Sequence, residues 1–190
     1  MPNAEVRPQV RVRPARTGDV REVRRLVEEY ARQRILLGKE LITLYEAVQE
    51  FVVAELVDDE GFGGRVVGCG ALHVLWEDLA EVRTLAVDPT VRGAGAGHLI
   101  LTALLDRADA LGVTRLFCLT FEKAFFERHG FVEIEGTPVE PEVYAEMLRS
   151  HDEGVAEFLD LARVKPNTLG NSRMLRLTAG PGATPERGGA

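Results

Sequence analysis

Cysteine is scarce. The 190 residues hold two, Cys69 and Cys118, both inside apolar runs. No Cys/His pair has the spacing of a zinc ligand set, so the two thiols read as core residues with no metal or redox role. Positive charge is also in deficit. Lys and Arg number 23 against 30 Asp and Glu, a net charge of −7, which speaks against general nucleic-acid binding. Local arginines can still serve an anionic ligand. Long hydrophobic stretches are missing too. None reaches the roughly 18 residues of a membrane-spanning helix, and Met1 to Arg7 has no signal-peptide pattern. The expectation is a soluble, cytoplasmic chain that uses neither metal nor membrane. What is present is a 45% hydrophobic composition in a length that fits one domain with a real core.

The pattern of that hydrophobicity is mixed. Val10 to Arg13 alternates as a strand, and Thr17 reads as an N-cap with Asp19 in the first turn. Val20, Val23, Leu26, Val27 and Tyr30 recur at helical period, and a second helix is expected across Leu41 to Glu50. Strands are expected at Phe51–Val57, Arg65–Trp76, Leu79–Val87, Thr114–Thr120, Phe131–Glu135 and Arg173–Leu177. A turn is expected over Asp58 to Gly64, with Gly68 and Gly70 marking a bulge or a close approach. Helices are expected at His98–Leu111, Lys123–His129 and Pro141–Ser150. A helical crossover between the strands at 79–87 and 114–120 makes them parallel. The fold class is therefore α/β with a mixed sheet. Residues 1–9 read as a flexible N-terminus, 10–178 as one domain, and 179–190 as a disordered tail.

The centre of the pattern is the turn Arg92-Gly-Ala-Gly-Ala-Gly97, between an apolar strand and a helix. A helix N-terminus offers N–H groups without intrahelical acceptors, and its dipole favours an anion. Glycines let backbone approach a ligand closely, and Arg92 adds a fork suited to phosphate oxygens. The turn is not a Walker loop, because no Gly-Lys-Ser/Thr follows. It is not the dinucleotide fingerprint either, because His98 stands where a third glycine is needed.

The spacing Arg-x-x-Gly-x-Gly at Arg92, Gly95 and Gly97 resembles the pyrophosphate loop of the GNAT superfamily of N-acetyltransferases, which bind acetyl-CoA. Ala124-Phe-Phe-Glu-Arg-His-Gly-Phe131 resembles that superfamily's second signature, shortened, and the order of elements is similar. The resemblance implies a central sheet whose parallel strands splay at their C-terminal ends, flanked by helices. It implies that Leu85, Ala86 and Val87 pair with the pantetheine arm like an added strand. The pyrophosphate would sit on Arg92, Gly93, Ala94, Gly95, Ala96 and Gly97, with Phe125 and Phe126 also at the cofactor. Catalysis would rest on positioning, a base and an oxyanion donor. Glu81 lies where many members carry a carboxylate acting through water, and its alternative reading is a strand carboxylate paired with Arg83 or with a neighbouring strand. His73 is the second candidate base. The superfamily's usual tyrosine acid is Phe126 here, which leaves Thr120 or water for the leaving thiolate.

Fold alone does not name the acceptor. The stretches 35–55, 67–76, 119–131 and 165–174 resemble amino-acid N-acetyltransferases, in particular the short, single-domain N-acetylglutamate synthases of arginine biosynthesis. That resemblance implies L-glutamate as acceptor. Lys39, Arg83, Asn171, Ser172 and Arg173 are candidates for its two carboxylates. The long forms carry Arg-Arg-Ser-Lys where this chain begins its last strand. Gly170-Asn171 stands in place of the two arginines, which opens the site to the neutral amide of L-glutamine. Two rival readings share the fold: a protein or peptide acetyltransferase, and a non-catalytic acetyl-CoA sensor. A homodimer is a further expectation.

Overall fold

The computed structural model describes residues 9–57, 63–161 and 170–178. Residues 1–8, most of the turn expected from Asp58, Lys165 and the tail from 179 lie outside the described residues. The described residues form two compact units, one of 9–57, 63–73 and 82–105, the other of 74–81, 106–161 and 170–178.

The first unit begins with β1 (Gln9–Pro14), α1 (Val20–Arg32) and α2 (Leu41–Glu46). It continues through β2 (Phe51–Val57), β3 (Gly63–Val74) as far as His73, the later part of β4 (Leu79–Val87), and the start of α3 (Ala96–Leu111). β1 pairs antiparallel with β2, and β2 with β3. The helical spacing expected in α1 is what buries it. Val20, Val23, Leu26 and Val27 pack with Leu44, Phe51, Val53, Cys69, Ala71 and Ala86 in one core.

On β3, Gly68 and Gly70 resolve as close approach. A Cβ on Gly68 would stand 2.8 Å from Ile100 Cδ1, and one on Gly70 2.7 Å from Ile100 Cγ2. Ile100 Cγ2 is fixed on a branched Cβ and cannot swing away, so Gly70 is what lets α3 lie against the strand.

The second unit holds the start of β4, β5 (Arg115–Thr120), α4 (Lys123–Glu127), β6 (Val132–Glu133), α5 (Pro141–Met147), α6 (Glu153–Phe158) and β7 (Ser172–Leu177). β4 and β5 are parallel, as the crossover required, with Leu79 opposite Arg115, Ala80 opposite Leu116 and Glu81 opposite Phe117. β5 and β6 each pair antiparallel with β7. Among the described residues the strand order is β1-β2-β3-β4-β5-β7-β6, a mixed seven-stranded sheet. This unit's core gathers Leu79, Phe117, Met147, Val155, Phe158, Leu159 and Leu175, and the rings of Phe117 and Phe158 meet edge-on at 4.9 Å.

Several boundaries differ from the sequence reading. Thr17 does not cap α1. Thr17–Asp19 forms a 3-10 turn, in which the Asp19 carboxylate accepts the Arg16 N–H at 2.7 Å and the helix starts at Val20. The second helix ends at Glu46, and a 3-10 turn, Val48–Glu50, leads into β2. The strand expected over 131–135 is only Val132–Glu133. α6 was not foreseen. Its run is short, and its start signal is a single residue, Asp152, whose side chain accepts the Val155 N–H at 3.1 Å. Among the described residues, no helix is long and apolar enough to cross a membrane.

Candidate functional site

β4 leads into the glycine turn through Asp88, which is 4% exposed. Its Oδ1 accepts the Thr90 N–H at 3.0 Å and the Thr90 hydroxyl at 2.7 Å. Arg25 donates to its other oxygen at 3.3 Å, and Arg65 stands 3.7 Å from it. The Thr90 hydroxyl bond, foremost, holds the Asp88 carboxyl below its ordinary range despite burial. The entry to the turn is thereby pinned.

Gly93 and Gly95 have φ of 86° and 80°, a left-handed backbone that glycine adopts without strain, and nothing lies within 4 Å of where a Cβ would stand. The cradle is narrower than expected. The Arg92 N–H donates to Pro89 O at 3.4 Å and the Ala94 N–H to Val91 O at 3.2 Å, so both already have acceptors. The helical ladder starts with the Leu99 N–H on Gly95 O at 3.0 Å, which leaves the N–H groups of Ala96 and Gly97 ahead of its first rung. Ala96 is buried, while Arg92 is exposed beside the open turn. An exposed guanidinium, two left-handed glycines and a helix start of this length are chemically suited to an anion.

Upstream on β4, Thr84 has φ of 60°, an unusual value for a β-branched residue in a strand. The Cys69 thiol donates to its carbonyl at 3.7 Å. On either side of this irregularity the chain presents Arg83 and the segment from Leu85 to Val87. Leu85 faces Gly70, and Ala86 joins the core under α1.

Arg83 is the first place where the structure brings expected site residues together. Arg83 Nη2 donates to Glu50 Oε2 at 2.9 Å, and His73 Nδ1 lies 2.9 Å from Glu50 Oε1. Glu50 thus links two candidates. Sequence reading missed it because it stood at the end of an expected helix. The signal was an acidic residue immediately before a strand start. Burial works against its ionisation, but the His73 bond and the Arg83 charge hold its carboxyl below the ordinary range. Lys39 lies half-buried on the link between α1 and α2.

The remaining candidates belong to the second unit. Glu81 is 3% exposed. Cys118 follows Phe117, its partner in register, and burial, then the charge of Glu81, pushes that thiol well up. Cys69 is pushed up to about 12 by burial, so both cysteines are the inert core thiols expected. The Thr120 hydroxyl oxygen accepts the Glu122 N–H at 2.9 Å and turns the chain into α4. Phe126 is buried edge-on between Phe125 and Phe131, at 5.3 and 5.2 Å, as a core anchor, and His129 Nδ1 donates to Phe125 O at 2.8 Å.

Ser172 donates to Glu133 at 2.7 Å. Arg173 donates to Glu157 O at 2.9 Å, to Gly136 O at 3.3 Å and to Phe158 O, and lies 5.1 Å over the Phe117 ring. Its guanidinium, expected at a substrate carboxylate, staples the backbone around α6. Desolvation lowers its pKa. Asn171 Oδ1 is buried and has no hydrogen-bond partner among the described residues. No group of three or more His, Cys, Asp or Glu among the described residues is arranged to hold a metal ion.

A mixed sheet with a parallel strand pair, and a pinned glycine turn that opens a helix, define an α/β protein whose turn is suited to an anion. The profile of the Acetyltransferase (GNAT) family matches residues 21–131, and the chain belongs to that family. An amino-acid acetyltransferase of Mycobacterium tuberculosis is 63% identical over 164 residues, which cover 86% of this chain and 92% of that protein. An amino-acid acetyltransferase of Neisseria meningitidis is 32% identical over 124 residues, and the chain spans 27% of its length. Among solved structures, Rv2747 from Mycobacterium tuberculosis in complex with CoA and NLQ superposes with a TM-score of 0.83 at 62% identity, covering 88% of this chain and 99% of that one. N-acetylglutamate synthase from Neisseria gonorrhoeae, complexed with coenzyme A and N-acetyl-glutamate, shares the fold at 24% identity and a TM-score of 0.67, with 35% of its length covered.

Proposed function

We propose that this chain is an amino-acid N-acetyltransferase that moves the acetyl group of acetyl-CoA to the α-amine of L-glutamate or L-glutamine. The observation that carries the reading is its 63% identity with an amino-acid acetyltransferase over nearly that protein's whole length. The pyrophosphate would rest on the Arg92–Gly97 turn and the first N–H groups of α3. The pantetheine arm would lie along the backbone of Leu85, Ala86 and Val87, past the last parallel pair of β4. The deprotonated amine would attack the thioester carbonyl carbon, the tetrahedral oxyanion would collapse, and the C–S bond would break to release CoA. Glu81 would take the ammonium proton through water, with His73 as the rival base. Thr120 or water would protonate the thiolate. Lys39 and Arg83 supply cationic groups for an acceptor carboxylate, and the buried Asn171 Oδ1 suits an amide N–H, which favours admitting glutamine. Such an enzyme would make the first intermediate of arginine biosynthesis in the cytoplasm.

The test is thiol release from acetyl-CoA by the purified chain with glutamate, glutamine, aspartate and lysine. Saturable turnover with glutamate or glutamine alone is expected. Silence across the panel, with acetyl-CoA binding intact, would hand the function to a protein acetyltransferase or a sensor. Within the active enzyme, Arg92→Ala is expected to raise the acetyl-CoA KM about tenfold, the loss of one charge-assisted phosphate contact, and to leave the acceptor KM nearly unchanged. Equal rises in both would remove the pyrophosphate from this turn.

A further inference from the structure

Three elements of the first unit meet at one carboxylate. Glu50 ends the turn before β2, His73 lies near the end of β3, and Arg83 stands one residue before the left-handed Thr84 of β4. The side chains of Arg83, His73 and Glu50 are 12%, 20% and 26% exposed. Surface ion pairs of the same chain, such as Arg24–Glu28, are 42% and 52% exposed. Exposed pairs of that kind hold little, because water competes for both partners. The Glu50 cluster is shielded enough for its geometry to persist.

We propose that Glu50 is a positioning residue, a fixed carboxylate that helps set the orientation of both Arg83 and His73 toward the acceptor amino acid. The proposal rests on the acetyltransferase reading above and deepens it. Arginine has many rotamers, and a guanidinium already held in one of them loses less freedom when a carboxylate arrives. Glu50 can hold it because its own backbone is fixed. The Glu50 N–H donates to Ala47 O at 2.9 Å, and the next residue, Phe51, is buried at the head of β2. The same carboxylate fixes the imidazole. The Nδ1 side of the ring faces Glu50, so the carboxylate sets which way the imidazole lies. One anion therefore holds a guanidinium and an imidazole in a constant relation.

The experiment is steady-state thiol release by the full chain, wild type against Glu50→Gln, with glutamine and glutamate as acceptors. Glu50→Gln keeps the shape and removes the charge. The acceptor KM is expected to rise about tenfold, with the acetyl-CoA KM within about twofold of wild type. Glu50→Asp keeps the charge but withdraws it by one methylene, and is expected to give the same split. Combining Glu50→Gln with Arg83→Lys or with His73→Gln should cost less than the sum of the single effects, because Glu50 acts through those groups. An unchanged acceptor KM overturns the proposal. So do additive double variants, or a drop in Tm with both KM values rising together. A wild type silent with every amino acid fails the acetyltransferase reading itself. An active wild type whose acceptor KM ignores Glu50 fails the positioning role alone.

Discussion

Glu81→Gln is expected to lower kcat for acetyl transfer by about 100- to 10,000-fold, the range that general acid–base catalysis supplies. The α-amine of an amino acid arrives as an ammonium and has no lone pair until a proton leaves. A carboxylate can take that proton, directly or through a water, and a side-chain amide cannot. Glu81 is suited to the task by burial, at 3% exposed, on a strand whose register with Phe117 fixes its backbone. Glutamine has nearly the same shape, so the strand pairing should survive, and a thermal melt close to wild type is expected. The acetyl-CoA KM should change little, because the groups assigned to the pyrophosphate lie on the separate Arg92–Gly97 turn. The measurement is kcat and both KM values across neutral and alkaline pH. Turnover unchanged over that range would take the base away from Glu81 and leave His73, held by Glu50, as the candidate.

The two stretches that determine the fold were legible because each is local. The strand, glycine turn and helix from Leu79 to Leu111 carry their signal in consecutive residues, and so does the buried helix face of Val20, Val23, Leu26 and Val27. The glycines at 68 and 70 announced a close approach, although only the structure names Ile100 as the neighbour. The sites read less well because their residues meet across sequence distance. Glu50 lies 23 residues from His73 and 33 from Arg83, and no local pattern links them. Arg173 was expected at a ligand from its place at the start of β7. Its acceptors are carbonyls of 136, 157 and 158, the last two contributed by α6, a helix too short to show in the pattern. Asp88 was visible as a strand end but not as the anchor of the turn. Its partners Arg25 and Arg65 come from α1 and β3.

The largest expected effect on stability comes from Glu55. This carboxylate is 2% exposed, directly opposite Arg11 in the β1–β2 register. Arg11 Nε donates to it at 3.0 Å and Arg13 Nε at 2.9 Å, and Arg13 also donates to Asp19 at 2.7 and 3.0 Å. One chain of charges therefore ties β1 to β2 and to the turn that starts α1. Removing Glu55 leaves Arg13, 19% exposed, with one partner fewer and returns the half-exposed Arg11 to water, so Glu55→Ala should cost about 1–2 kcal/mol, roughly 2–8 °C in Tm for a chain of this size. Asp19 remains for Arg13, which keeps the loss from growing further. The same groups set the acid response. Burial raises the Glu55 pKa, but the bonds from Arg11 and Arg13 outweigh it, and the Arg13 bond foremost lowers that of Asp19. Both folded-state values thus lie below the unfolded ones, near 4. The unfolded chain takes up protons first as pH falls, so the stability these groups add is whole above about pH 5 and drains away below it. Urea unfolding of wild type and Glu55→Ala should therefore show a gap that is widest near neutrality and closes as pH drops through the carboxylate range. A gap that stays constant into acid would mean that Glu55 contributes by packing alone, because burial without charge has no proton to lose.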